Sequence, residues 1–228
     1  MYNNCVPPKL GDRIVGMLKE NLVFLREFLL EFKTTGAFFP TSKWAAQALI
    51  NPMRQPGRSP KNILELGPGT GSVTLPIIRE LQEGDRLTIC EINPRFMKAL
   101  KEKLEGCPYY QRHRDRVFFF EGAAQDLPEG TIYDIIVCAL PFVNFDLETV
   151  EAIFSKLRKI STAETLMTYY EYMGMRKLNE KISSREQRDR VAKVNGFMKE
   201  SGTLSHLHRE RVWLNLLPIN IYTVKPAA

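Results

Sequence analysis

The chain predicts an α/β fold: a seven-stranded, mostly parallel sheet with helices on both faces, preceded by an N-terminal amphipathic helix. Three observations carry this. From residue 62 onward, short apolar runs alternate with helix-periodic segments, which places parallel strands under covering helices. The run Ile135-Ile136-Val137 is apolar at consecutive positions, as suits a strand buried on both faces. Two C-terminal apolar segments are separated only by a short stretch around Pro218, which favours an antiparallel pair at the sheet edge.

The elements follow in order. Ile14, Leu18, Leu22, Leu25, Leu29 and Phe32 recur at helical spacing across residues 11–33. Arg13, Glu20, Glu27 and Glu31 lie opposite, and Lys19, Arg26 and Lys33 flank the apolar face. Gly36 ends this pattern, and a short helix is expected from Ser42 to Ile50. Residues 1–50 therefore read as an N-terminal helical segment and 51–228 as the main domain. After a turn-rich connection, strands are expected at 62–66, 86–91, 116–120, 133–139 and 165–170, with helices at 73–81, 94–104 and 146–160. Residues 173–201 are charged and helical in pattern, and the last two strands fall near 211–216 and 219–224.

Composition bounds the classes of partner. Apolar residues make up 44% and charged residues 25% of the chain, values of an ordinary globular protein rather than a disordered one. The net charge of +6 favours an anionic partner such as nucleic acid, an acidic membrane surface or an acidic protein, without choosing among them. The four cysteines form no C-x-x-C pair, and Cys90 and Cys138 lie within expected strands; free, buried thiols in a reducing compartment are the reading. His206-x-His208 lacks a third ligand nearby, so no metal is expected. Met1–Leu10 has no signal-peptide pattern, and charges interrupt the stretch Ile14–Phe32 too often for a membrane span. A cytoplasmic protein is expected, with attachment to a membrane surface open.

Chemistry concentrates in Ile63-Leu64-Glu65-Leu66-Gly67-Pro68-Gly69-Thr70-Gly71. A buried strand runs into alternate glycines and then a helix. Glycine permits unusual backbone angles and leaves room for a ligand, and the helix offers free N–H groups at its start. The dinucleotide fingerprint G-x-G-x-x-G does not fit, because Ser72 or Thr74 falls where the third glycine belongs. Glu91, at the end of the next strand, is placed to accept ribose hydroxyls.

The pattern E-x-G-x-G-x-G formed by Glu65, Gly67, Gly69 and Gly71, followed by Glu91, resembles the first motifs of class I S-adenosylmethionine (SAM)-dependent methyltransferases. That resemblance implies a Rossmann-like sheet and SAM as cofactor. Members often carry G-D-A-x-D-L after the third strand; here the segment is Gly122-Ala123-Ala124-Gln125-Asp126-Leu127. Ala123 replaces the acid that contacts adenine, leaving the backbone at Ala124 or the side chain of Gln125 to substitute. The loop Ala139-Leu140-Pro141-Phe142 corresponds to the one that faces the transferable methyl.

That loop is similar to two families. Ribosomal RNA adenine dimethyltransferases have Asn-Leu-Pro-Tyr; here Ala139 replaces the asparagine and cannot accept its hydrogen bonds. Bacterial phospholipid N-methyltransferases have Gly-Leu-Pro, and the resemblance to them extends to Thr35–Ser42 and to the ending Val212-Trp213-Leu214-Asn215-Leu216-Leu217-Pro218. It implies N-methylation of a phosphatidylethanolamine-type lipid at the inner membrane face, with Tyr169, Tyr170 and Glu171 as orienting groups or proton acceptors. The alternatives are an RNA adenine-N6 methyltransferase and a SAM-binding protein without transfer activity. The 11–33 helix either packs on the domain or lies in an anionic membrane surface.

Overall fold

The computed structural model describes residues 41–55, 57–173, 185–200, 205–215 and 217–226. The chain divides into two compact units, 1–39 and 40–228, and all described residues belong to the second. The expected amphipathic helix at 11–33 lies outside the described residues.

Seven strands form one sheet: β1 (Asn62–Leu66), β2 (Arg86–Glu91), β3 (Val117–Glu121), β4 (Ile135–Cys138), β5 (Leu166–Tyr172), β6 (Ser205–Val212) and β7 (Ile219–Lys225). Their order is β3-β2-β1-β4-β5-β7-β6. Strands β1 to β5 pair in parallel, while β7 runs antiparallel to both β5 and β6. Only β7 is reversed. This is the mostly parallel, Rossmann-like sheet that the alternating pattern predicts.

Six α-helices are described: α1 (Lys43–Leu49), α2 (Thr74–Glu80), α3 (Pro94–Glu105), α4 (Pro108–His113), α5 (Leu147–Lys159) and α6 (Arg185–Glu200). Alternate strand residues feed two apolar layers. Ile63, Ile89 and Val137 pack with Leu49, Ile77 and Leu100 from α1, α2 and α3 on one face. Leu64, Ile136 and Cys138 pack with Phe154 of α5 and Val194 of α6 on the other. Burial on both faces explains why β4 is a continuous apolar run.

Local chemistry sets the helix starts. Ser42 Oγ accepts from Ala45 N at 3.2 Å, Asn93 Oδ1 from Arg95 N at 3.0 Å, and Asp146 Oδ1 from Thr149 N at 2.7 Å. Each satisfies an N–H that the helix itself leaves free. The turn before β2 is fixed by an ion pair: Arg58 meets both oxygens of Asp85 at 2.7 and 2.6 Å. Lys61 N and Gln82 N also donate to that carboxylate, each at 2.8 Å.

Two elements differ from the sequence reading. Helix α4 was not expected; Pro108 at its first turn supplies the preset backbone angle of a helix start. The strand expected at 211–216 instead occupies Ser205–Val212. Trp213, Leu214 and Asn215 lie beyond the strand, and Asn215 Nδ2 donates to Leu217 O at 3.0 Å.

Candidate functional site

Strand order reverses at β1, which lies between β2 and β4. The crevice outside the carboxyl ends of such strands is where open α/β sheets bind ligands. The glycine loop leaves β1 there. Gly67, Gly69 and Gly71 have φ of +70°, +54° and +82°, a region that side chains with a Cβ rarely enter. A Cβ on Gly67 would come within 2.7 Å of Leu140 Cδ2, and one on Gly71 within 2.6 Å of Leu100 Cδ1. The loop is therefore tight against α3 and against the segment that follows β4.

Two acidic side chains underlie this loop. Glu91 is only 4% exposed. Its Oε2 accepts from Gly69 N at 3.2 Å and its Oε1 from Asn93 N at 2.9 Å. Each oxygen keeps a lone pair for a further donor. Glu65 is fully buried. Its Oε1 accepts from Thr74 Oγ1 at 3.0 Å, while Oε2 has no partner. Burial, with Glu91 adding repulsion, pushes the Glu65 carboxyl up to about 8 despite the Thr74 hydrogen bond. It is thus protonated at neutral pH.

The remaining expected cofactor residues gather at the same edge. Gly122 N donates to Glu91 O at 3.0 Å, which sets Ala123 beside the Glu91 loop; Ala124 and Gln125 form a 3₁₀ turn there. Ala139 N donates to Leu66 O at 2.9 Å, and Leu140 covers Gly67. The residues picked from three separate motifs thus meet at the ends of β1, β2, β3 and β4.

Pro141 opens onto a second feature, a cavity of about 230 Å³ between the ends of β5 and β7 and helix α6. Its walls carry Phe142, Tyr169, Tyr170, Tyr172 and Tyr222, with Val194, Asn195 and Met198 from α6. Glu171 and Asn220 also line it, paired across β5 and β7. No Lys, Arg or His is among the described residues that line it. Asn220 Oδ1 is buried without a partner.

Tyr169 and Tyr170 lie on this wall, but their phenols are poorly suited to accept a proton. Burial, with smaller electrostatic contributions, raises both above the ordinary tyrosine value. Tyr169 is stacked on Tyr222 at 5.2 Å, and Tyr170 Oη donates to Ala139 O at 3.4 Å. Phe142 is 5% exposed and packs against Phe154 at 5.2 Å, so its ring belongs largely to the core. Tyr172, Asn220, Tyr222 and the α6 wall carry no motif; the β5–β7 pairing brings the first three together, and the packing of α6 adds its wall. Cys90 and Cys138 are free and buried, with burial pushing each thiol up to about 12.

A glycine loop with no room for Cβ, a half-satisfied buried carboxyl and a strand-end carboxylate fit a nucleoside ligand with a cationic end. On a sheet of this order they define a class I methyltransferase, and a methyltransferase-domain family model matches residues 64–166. The chain is a SAM-dependent methyltransferase, with SAM as its cofactor. It is similar to the ornithine lipid N-methyltransferase of Singulisphaera acidiphila, 23% identical over 63% of this chain and 73% of the relative. The fold matches a SAM-dependent methyltransferase from Aquifex aeolicus (TM-score 0.57, 11% identity, 80% of this chain and 90% of that one). It also matches the glycopeptide N-methyltransferase MtfA (TM-score 0.58, 11% identity, 79% and 90%).

Proposed function

We propose that this enzyme N-methylates a lipid bearing an amine, of phosphatidylethanolamine type, at the inner face of a cytoplasmic membrane. The observation that carries the reading is the cavity beside Pro141. It combines aromatic faces with one carboxylate, Glu171, and no basic side chain among its described lining residues. Such a surface attracts a cation through ring quadrupoles and charge and repels phosphate. The amine of a zwitterionic headgroup enters, and its phosphate stays at the mouth. The name of the ornithine lipid relative points the same way.

When bound, SAM supplies a methyl carbon made electrophilic by its sulfonium. Gly67, Gly69 and Gly71 let the backbone approach the cofactor, Glu91 accepts its ribose hydroxyls, and Glu65 faces its cationic end. The backbone at Ala124 or the amide of Gln125 serves adenine, since Ala123 has no acceptor side chain. Leu140 and Pro141 separate this pocket from the acceptor cavity. Tyr169 and Tyr170 form cavity walls and orient the amine. Glu171 is the carboxylate on that wall and takes the proton that an ammonium must lose before its nitrogen can react. Holding both reactants in line supplies much of the acceleration.

Among the described residues no helix is long and apolar enough to cross a membrane, so the lipid is reached from the surface in this reading. The RNA alternative loses support from Phe142, whose ring is packed in the core, and from Ala139, which offers no side-chain acceptor. The test is methyl transfer from radiolabelled SAM to total lipid, total RNA and total protein in parallel. Label in an amine-containing lipid is expected. Label confined to RNA or protein refutes the proposal, and no label anywhere favours a binding protein without transfer activity.

A further inference from the structure

The chain has two tryptophans, Trp44 and Trp213. They lie far apart in sequence and share one exposed groove. Trp44 is 50% exposed, Trp213 63% and Leu214 65%. Residues of this size on the surface are ordinary when isolated, but a contiguous group marks an interaction site.

The topology fixes where this group sits. Strand β6 ends at Val212, opposite Ile219 of β7, and Ile219 lies opposite Tyr172 at the end of β5. Trp213, Leu214, Asn215 and Pro218 are therefore at the carboxyl edge of the sheet, the edge that carries the glycine loop and the acceptor cavity. Two hydrogen bonds fasten them there. Met173 N, next to the cavity wall, donates to Pro218 O at 2.8 Å. Ser42 N, at the start of α1, donates to Asn215 Oδ1 at 3.0 Å, which brings Trp44 alongside these residues.

The rim is basic. Lys43 Nζ lies 4.8 Å from the centre of the Trp44 ring, and Arg211 lines the groove beside Trp213. Arg54 also lines it, partly neutralised by Glu80 at 3.2 Å, and Glu210 is the one acid in the lining. Indole rings with an apolar body and one N–H settle at the headgroup level of a bilayer. Lysine and arginine beside them are drawn to anionic lipid.

We propose that Trp44, Trp213 and Leu214 form a docking surface for the anionic headgroup layer of a lipid bilayer, which sets the acceptor cavity against the membrane. This rests on the lipid reading of the function and adds the surface by which the enzyme meets its substrate.

Intrinsic fluorescence tests it directly, because the two reporters are in the patch itself. The full-length protein is mixed with vesicles of phosphatidylglycerol and phosphatidylethanolamine, with and without brominated acyl chains. A blue shift and quenching by the brominated lipid are expected, in the wild type and in Trp44→Phe and Trp213→Phe, each of which keeps one reporter. Vesicles of phosphatidylcholine alone should give a much smaller response. Replacing Trp213 and Leu214 together by serine should lower vesicle partitioning about tenfold or more, since two large apolar groups no longer leave water. Methylation of a short-chain phosphatidylethanolamine dispersed below its micelle concentration should be unchanged in that variant. The proposal is overturned if emission is already blue and unquenchable before lipid is added, which would mean another protein surface covers the patch. It is equally overturned if anionic vesicles leave emission unchanged, or if phosphatidylcholine acts as strongly. Loss of methylation of every lipid by the wild type, with the fluorescence response intact, would refute the proposed reaction and leave this surface standing.

Discussion

Replacing Glu65 by glutamine should remove a pH dependence that the wild type cannot avoid. The folded carboxyl is held at about 8 against an ordinary 4.5, chiefly by burial. Between those values the unfolded chain has lost the proton and the folded chain keeps it. The folded state then binds more protons, so stability falls as pH rises through this window. One unit is worth about 1.4 kcal/mol, and the accumulated loss by pH 8 to 9 is on the order of a few kcal/mol. Glutamine keeps an oxygen for the 3.0 Å hydrogen bond from Thr74 and never ionises. Near pH 5 the variant should match the wild type within about 1 kcal/mol; at pH 8.5 it should be more stable by roughly 4 kcal/mol. For a domain of this size that is a rise in Tm of about 8–16 °C. Cofactor binding should respond too. A cationic ligand end beside Glu65 favours the ionised form, so SAM binding near pH 7 should release up to one proton in the wild type and none through this residue in the variant. Urea unfolding across pH 5–9 and calorimetry in buffers of different ionisation enthalpy measure both effects. Parallel stability curves for the two proteins, with equal proton release, would refute the reasoning.

Three further outcomes follow from named contacts. Gly67→Val forces a β-branched residue into φ +70° and against Leu140; SAM affinity, read by calorimetry on folded protein, should fall by at least about tenfold because the loop must move. Asn220→Leu and Glu171→Gln should raise the KM for the lipid amine while SAM affinity stays within about twofold, and unchanged KM in both would remove the cavity from the acceptor site. Asp85→Asn breaks the buried pair with Arg58 and should cost about 3–5 kcal/mol in urea unfolding. Burial alone would push Asp85 up, but Arg58 and the N–H groups of Gln82 and Lys61 outweigh it and hold the carboxyl below its ordinary value. Its contribution is therefore present above the ordinary aspartate range and lost as pH falls through the folded pKa.

The cofactor half of the site was legible because its determinants are local. Glu65, the three glycines and Glu91 fall within one strand–loop–helix–strand unit, where short spacing fixes proximity. On the acceptor side the loop at Leu140-Pro141 and the strand end Tyr169-Tyr170-Glu171 were legible through the resemblance, but the β7 and α6 residues that complete the cavity were not. Glu171 and Asn220 become neighbours only because β7 returns antiparallel beside β5, and no spacing in the chain announces that register. Helix α6 lies in the stretch 173–201, whose sequence reads as charged and helical, yet Val194 is fully buried and Met198 nearly so, and both wall the cavity. Two apolar positions one turn apart give little signal inside a stretch dominated by charge.

The misplacement of β6 has the same origin and bears on the proposed docking surface. The strand's sequence, Ser205-His206-Leu207-His208-Arg209-Glu210-Arg211-Val212, is mostly polar and charged, whereas Trp213-Leu214 looks like strand interior. The arrangement is reversed for physical reasons at each place. An edge strand is protected from pairing with other chains by charges along its length, so β6 lacks the apolar alternation that marks a buried strand. The apolar residues lie beyond it, where Asn215 bonds locally to Leu217 and across to Ser42 instead of extending the ladder. A connection that a soluble protein would ordinarily make polar here presents a tryptophan and a leucine to solvent. Exposure of such a group costs hydration free energy in the isolated protein, and the proposed docking would recover that cost. The same edge holds the glycine loop, Glu91 and the mouth of the cavity, so the proposed docking would bring a lipid amine to the side of the sheet that carries the cofactor residues.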